Sequence, residues 1–321
     1  MGPFNEADLM VLAAWAYYDE GLTHEEIAKR LHLSRVAVTR LLQKARKEGI
    51  VQIHITKPLP IQFKLERQLE EQFGLKRAIV VKSYPTQSAT LDAVGWAGAE
   101  VLKDVLFPGC RLGVAWSETV RRIIPYVKCP KPPVQGTVNE LVGTRTRQSN
   151  PFSISVDLAH ALGMPLESLP VPVVVQSQAA RDAIMSEESV LTAMEHARQV
   201  DIALVGLGDA GPRCTMVRTG HLTVEQVAEL REQGAVGDIL MRYYDGQGRH
   251  VPIPLESQIV SLEWPEVRRI PMIVAMVVGA RKVDATLGAL QGRLCHYLIT
   301  DTDTARQVLA RVQPQDSTAH A

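Results

Sequence analysis

Three short blocks of apolar residues near the N-terminus recur at helical spacing, each followed by a stop signal. Residues 9–18, "LMVLAAWAYY", have helical length, and Gly21 stands behind them as a terminator. Thr23 and Glu26 form a capping box, the hydroxyl serving an orphan N–H and the carboxylate reaching back. Ile27, Ala28 and Leu31 make the apolar face of this second helix, which His32 and Leu33 interrupt. Ser34 caps a third helix running from about Arg35 to Glu48 and closed by Gly49. "IVQIHI", residues 50–55, alternates apolar with polar positions and predicts a strand that would form a wing. "KPLPIQ", with two prolines, predicts a linker. Behind it Ile61, Leu65, Leu69 and Phe73 fall four apart, predicting an amphipathic helix that ends at Gly74 and packs on its own body or on a second copy.

From Arg77 the pattern changes. Apolar runs at 78–81, 111–115, 138–142, 171–175, 202–206, 270–278 and 295–299 alternate with helical segments at 90–106, 118–127, 154–162, 186–199, 223–233, 283–292 and 302–312. That alternation predicts a parallel sheet with helices on both faces. The expected architecture is an N-terminal all-α (winged) helix-turn-helix domain over 1–57, a linker and amphipathic oligomerisation helix over 58–76, and a Rossmann-like α/β domain over 77–321.

A helix-turn-helix needs a small residue where its helices cross, a turn residue that tolerates positive φ four positions later, and an apolar core residue six beyond that. Here these are Ala28, His32 and Val38, with Leu41 closing the core. The usual turn residue is glycine; histidine enters that region less easily. The whole chain carries a formal net charge of +0, which is uninformative about partners, but residues 27–57 hold eight Lys and Arg against the single acid Glu48. A basic module joined to an acidic body points to double-stranded DNA as a partner. In such a unit the third helix enters the major groove N-terminus first. Ser34, Arg35, Ala37 and Val38 then face bases or phosphates near its start, Arg35 being suited to bidentate guanine contact and Val38 having the core role as its alternative, while Thr23, Thr39, Arg40, Lys44 and Arg46 meet phosphates.

In a parallel α/β sheet the ligand lies at the carboxyl ends of the strands. "WSET" puts Ser117 and Thr119 where a helix begins, a phosphate-binding arrangement. "GTRTRQSN" supplies Arg145, Arg147 and Asn150, which a solvated loop would explain equally well. "LGDAG" contributes Gly208 in a glycine-rich turn, and "GAVGDI" contributes Asp238 in another. Asp245 follows in "YYDGQG", where a plain turn role is the alternative, and "GARK" places Arg281 and Lys282 at a strand end or on a helix-entry surface. The set is cationic and hydroxyl-rich with a carboxylate or two, and it suits a small phosphorylated polyol. The four cysteines show no CxxC pair and no histidine at ligand spacing, so neither a disulfide framework nor a metal site is expected. The longest apolar run, residues 270–280, is too short to span a bilayer, and no leader pattern is visible, so a cytoplasmic protein without a membrane partner is expected.

Together these residues resemble the SorC/DeoR-like sugar-binding transcriptional regulators over essentially the whole chain. The N-terminal stretch "YYDEGLTHEEIAKRLHLSRVAVTRLLQKARKEGIVQIHI" matches that family's DNA-binding module. "GCRLGVAWSET", "DIALVGLGD", "GAVGDILMRYYDGQG", "VVGARK" and "LITDTDTA" follow in the family's order. The resemblance implies a body related to sugar-phosphate isomerases, a phosphosugar-like effector, and dimers or tetramers on operator DNA; the residues themselves show no convincing acid/base pair, so neither catalysis nor a cofactor is expected. It assigns Ser117 and Thr119 to the phosphate loop, Lys282 to the basic effector contact and Asp238 to the sugar hydroxyls. The chain departs from the family at Ala115-Trp116-Ser117, where glycine–tryptophan–glycine is frequent, and at Val142-Gly143, where two glycines are frequent. Leu141 stands where some members carry a Schiff-base lysine, so covalent effector capture is not expected there. Two other readings follow from the same residues: an isomerase-like enzyme with a fused DNA-binding head, which needs a base such as Asp238 or Glu118, and a DNA-binding oligomer without a ligand.

Overall fold

The computed structural model describes residues 5–51, 60–129, 134–144 and 154–312. The chain divides into two compact units, Met1–Leu59 and Pro60–Ala321.

The first unit holds three helices, α1 (Glu6–Tyr18), α2 (His24–Leu31) and α3 (Arg35–Lys47). Each start is fixed by a short-range cap. Asn5 and Asp8 form a capping box at α1, and Thr23 and Glu26 form one at α2. The Ser34 hydroxyl accepts the Ala37 N–H at 3.1 Å at the head of α3. His32 lies in the left-handed region at φ 54°, ψ 43°. Its N–H reaches the Lys29 carbonyl, and the Leu33 N–H reaches the Ala28 carbonyl at 2.8 Å, the double bond of a Schellman turn. The turn thus satisfies carbonyls that the end of α2 would leave orphaned. Ile27, Ala28, Val38, Leu41, Leu42 and Ala45 close a small core against Met10, Ala13 and Ala14 of α1. The expected wing falls mostly on residues 52–55, outside the described residues.

The body opens with α4 (Ile61–Phe73), then β1 (Arg77–Val81), α5 (Gln87–Val105), β2 (Cys110–Val114), α6 (Glu118–Arg121) and β3 (Gly136–Glu140). It continues through α7 (Ser155–Leu162), β4 (Leu166–Glu167), α8 (Gln178–Met185), α9 (Glu188–Arg198) and β5 (Ile202–Gly206). Next come β6 (Gly208–Asp209), α10 (Thr215–Arg218), α11 (Val224–Glu232), β7 (Ala235–Ile239), β8 (Arg242–Asp245) and α12 (Trp264–Val267). The chain closes with β9 (Met272–Met276), α13 (Val283–Gln291), β10 (Tyr297–Asp301) and α14 (Thr302–Ala310).

Seven strands form a parallel sheet in the order β1-β10-β9-β5-β2-β3-β4. Both faces are covered, so its central strands are apolar on both sides. Ile202 and Leu204 of β5 pack with Leu91 and Val94 of α5. Their neighbours Ala203 and Val205 belong to the opposite core with Leu65 and Leu69 of α4. After β2 the chain steps outward to β3 and β4, and after β5 it steps the other way to β9 and β10. The topology therefore reverses between β2 and β5, and a crevice opens there at the carboxyl ends of the strands.

Two expectations change. The run at 171–175 is not a sheet strand: it makes only isolated bridges, Thr144 with Pro172 and Val174 with Ile259, while Leu166–Glu167 takes the edge position. Val171, Val173 and Val175 are buried in the body's core, which explains the apolar run without a sheet strand. Second, the glycine-rich tracts around Gly208 and Asp238 are not turns but strands of an antiparallel sheet, β6-β7-β8. The turn between β7 and β8 is Leu240-Met241, both at positive φ (51° and 67°), a conformation that asparagine and glycine usually mark. Of the two packings open to the stripe at 61–73, the chain's own body is the one seen for three of its residues. Leu65, Leu69 and Phe73 sit in the body's own core. α4 also caps the free edge of β1, Glu70 accepting the Ala78 N–H at 3.0 Å and Glu66 accepting the Val80 N–H at 2.9 Å. An uncovered edge strand would be a template for aggregation, and this helix removes it.

Candidate functional site

Two surfaces carry chemistry. On the first unit, α3 places Ser34, Arg35, Ala37, Thr39, Arg40 and Lys44 toward solvent or half-exposed. Val38 is corrected: it is 0% exposed, wedged in the three-helix core, and cannot touch a base. The cations differ in how free they are. Lys44 donates to Glu6 at 2.8 Å and lies 3.7 Å from Glu48, and the hydrogen bond to Glu6 raises its pKa. Arg46 donates to the Tyr18 hydroxyl at 2.6 Å and lies over its ring. Among the described residues, no hydrogen bond or ion pair engages the side chains of Arg35 or Arg40. Thr39 bonds the Arg35 carbonyl at 3.0 Å and the His24 ring at 3.1 Å, and the Thr23 hydroxyl donates to Glu26 at 2.7 Å. Both threonines are thus held in place by their own fold.

The second surface is a cavity of about 490 Å³ at the reversal point between β2 and β5. Ser117 and Thr119, from the turn after β2, line one side. Gly206, Leu207, Gly208 and Asp209, following β5, line the next, with Asp238, Leu240 and Met241 from the antiparallel sheet. Gly279, Arg281 and Lys282, after β9, close the ring. Four predicted residues distant in sequence therefore meet Lys282 in one space. Asp245 does not join them: its carboxylate accepts the Gln247 and Arg249 N–H groups, both at 2.9 Å, and the Arg249 guanidinium at 2.7 Å. It is a turn organiser away from the cavity. Burial works to raise its pKa, but the bonds from Arg249 and Gln247 outweigh this and leave it lowered. Arg145 and Asn150 lie outside the described residues.

Lys282 donates to the Leu207 carbonyl at 2.7 Å. Burial holds its ammonium below the usual range, against the pull of Asp209 and Asp238. Burial also pushes the Asp238 carboxyl up to about 6; Lys282 and the Met241 N–H oppose this and Asp209 adds to it. The Met241 N–H donates to Asp238 at 3.2 Å, so the strained turn serves the carboxylate directly. Glycines make the room: a Cβ on Gly208 would collide with the Asp238 carboxylate, and one on Gly206 with the Ser117 hydroxyl. The hairpin is anchored from below by Arg242, fully buried, which donates to Glu256 at 2.8 Å and to the Leu262 carbonyl at 2.9 Å.

Sequence reasoning missed Asp209, Arg213, Arg218 and the Ser83–Asp301 side of the cavity. Asp209 was visible as the acid ending "GLGD" but looked like part of a loop. Arg213, in the segment after β6, and Arg218, at the end of the short helix α10, have no motif to mark them; Arg218 lies 3.8 Å from Glu118 across the rim. Ser83 donates to Asp301 at 2.7 Å, a contact between residues 218 apart in sequence. Leu141 is buried against Gly113, and Val142 forms part of the cavity wall. Among the described residues no cluster of His, Cys, Asp and Glu could hold a metal, and no helix is long and apolar enough to cross a membrane.

A three-helix unit with a helix-turn-helix, joined to a parallel α/β body with a ligand cavity at its switch point, defines a regulator that couples a small molecule to DNA. Comparison with known proteins agrees. Residues 58–310 match the family described as a putative sugar-binding domain, and residues 15–48 match sigma-70 region 4. The transcriptional regulator LsrR of Enterobacter sp. (strain 638) is 31% identical over 95% of this chain and 94% of its own. The erythritol catabolism regulatory protein EryD of Brucella abortus (strain 2308) is 27% identical over 94% and 96%. The full-length sorbitol operon regulator SorC of Klebsiella pneumoniae superposes with a TM-score of 0.73 at 27% identity, covering 95% of this chain and 99% of that one. The chain belongs to the SorC/DeoR-like sugar-binding transcriptional regulators, and these relatives are named as regulators, not as enzymes.

Proposed function

We propose that this protein is a cytoplasmic regulator that binds operator DNA through α3 as a homodimer or tetramer and releases or gains affinity when a small phosphorylated sugar or polyol enters the body's cavity. The observation that carries the reading is the company of Lys282, Asp238 and Asp209 in one cavity. A cation suits the phosphate, and the carboxylates accept from sugar hydroxyls. Ser117, Thr119 and the peptide N–H groups around them supply further donors for phosphate oxygens, and Gly208 leaves space for the ligand's approach. Arg145 and Asn150 remain part of the proposed ligand set. On the DNA side, Arg35 reads a base, Thr23, Ser34, Thr39, Arg40 and Lys44 meet phosphates, and Ala37 packs near the groove. Two heads are needed because one such module binds weakly. Control follows from linkage: an effector favouring one quaternary arrangement shifts the spacing of the heads.

The names of the relatives favour polyols and sugars, LsrR aside, and a scaffold of sugar-phosphate-isomerase type without turnover is part of the same reading. The test is a thermal-shift screen of the full-length protein against phosphosugars, polyol phosphates and their unphosphorylated parents. A hit that also changes operator affinity and is recovered unconverted supports it. Stabilisation by the unphosphorylated parents alone would remove the phosphate from the proposal.

A further inference from the structure

α3 turns one face inward through Val38, Leu41, Leu42 and Ala45. At 3.6 residues per turn the opposite face runs through Val36, Arg40, Gln43 and Lys47, and all four are exposed. Val36 stands out. Its side chain is 70% exposed, the most exposed large hydrophobic residue among those described. It sits in the first turn of the helix, next to Arg35 and one turn before Arg40. A β-branched residue gives α3 no helix-propensity advantage there, and this one buries nothing in its own fold.

We infer that Val36 is a base-reading residue that packs on the C5-methyl group of a thymine in the major groove. The inference rests on the reading of α3 as the helix that enters DNA. The occupant is argued from charge and geometry. Arg35 beside Val36 and Arg40 one turn on flank it with positive charge suited to the phosphate walls of a groove, and Lys47 continues that charge at the far end of the same face. A helix entering N-terminus first brings its first turn deepest, which is where Val36 lies. On the major-groove edges the thymine methyl is the apolar group available to an aliphatic side chain, and it distinguishes T·A from the other pairs. Arg40 and Gln43 share the face and would flank this contact.

The experiment uses the full-length protein and a randomised duplex library. Sequences selected by the parent define the site; each thymine in it is then replaced by uracil, which removes only the methyl group. One thymine per half-site should show a roughly three- to fivefold loss of affinity, about the worth of one buried methyl group. The Val36→Ala variant should bind the thymine and uracil duplexes equally, closing a double-mutant cycle. Alanine is the better helix former and Val36 is solvent-facing, so the variant keeps its fold. If Val36→Ala retains the parent's uracil penalty, or if no thymine shows one, the assignment of Val36 is overturned while DNA binding stands. If the parent selects no sequence at all, the DNA-reading role of α3 falls and this inference falls with it.

Discussion

The two units of this protein are built on opposite principles. In the helix-turn-helix unit, the caps and the turn that set the helix ends act on neighbours three to five positions away: Thr23 on Glu26, Ser34 on Ala37, Leu33 on Ala28. In the body, the cavity is assembled from segments as distant as Ser83 and Asp301, 218 residues apart, and no local rule specifies it. The first kind of site tolerates loss of one contact, because each cap contributes only about 1 kcal/mol. The second rests on a few half-buried charges that balance one another, so removal of one partner disturbs the rest.

The largest effect is therefore expected at Lys282. Lys282→Ala removes the cation that offsets Asp238 and Asp209, while Arg213, Arg218 and Arg281 remain on the cavity lining. Effector affinity should fall about 100-fold, the scale of a buried charge-assisted hydrogen bond, with operator affinity in the absence of effector unchanged. Paired calorimetric and anisotropy titrations check it. A matching loss of operator affinity would mean the two units are not separable in the way just described.

Next comes Leu69→Ala, which asks whether α4 belongs to the body or to an interface between copies. If it is core, unfolding should shift by about 3 kcal/mol, independent of protein concentration. A shift that grows on dilution would return the helix to an oligomerisation role.

A third expectation concerns pH. The folded Asp238 carboxyl holds its proton up to about 6, whereas the unfolded one releases it near pH ~4. Between these values the folded state binds more protons, so this group's contribution to stability falls as pH rises and is fully lost above about 6. The cost amounts to at most about 3 kcal/mol. Asp238→Asn does not titrate, so it should gain on the parent as pH climbs from about 4 to 7. Urea midpoints of both proteins across that range measure the gap; a flat difference would place the carboxylate in a water-like environment.

The same division explains what could be read in advance. The caps of α2 and α3, the positive-φ turn at residue 32 and most of the alternation of the parallel sheet are periodic or local, and each was legible. The antiparallel sheet was not, because β6 and β7 are short and interrupted by glycine, and glycine in a strand looks like a turn. Its hairpin turn is Leu240-Met241, where apolar residues at positive φ replace the usual signal. Ser117, Thr119, Gly208 and Lys282 could be nominated from strand ends, and Asp238 from a glycine-lined tract that reads as a turn but lies in β7. Asp245 could not be separated from them, since only the fold shows its carboxylate turned back onto Arg249. Val38 posed the reverse problem: its position in the motif fits both core and groove, and burial alone decides.

The smallest expected effect probes the most local feature. His32 occupies the left-handed region without glycine's freedom, a conformation costing a non-glycine residue roughly 1–2 kcal/mol. His32→Gly removes that cost but adds flexibility to the unfolded chain, worth about 0.4–1 kcal/mol in the other direction. The net should be a gain of roughly 0.5–1 kcal/mol for the helix-turn-helix unit, seen as delayed loss of helical signal on heating, with the body's transition unmoved. His32→Val should lose a comparable or larger amount, because a β-branched side chain fits that region worst. If glycine instead destabilises the unit, then the imidazole makes a contact that offsets the strain, and the turn is less local than its hydrogen bonds make it.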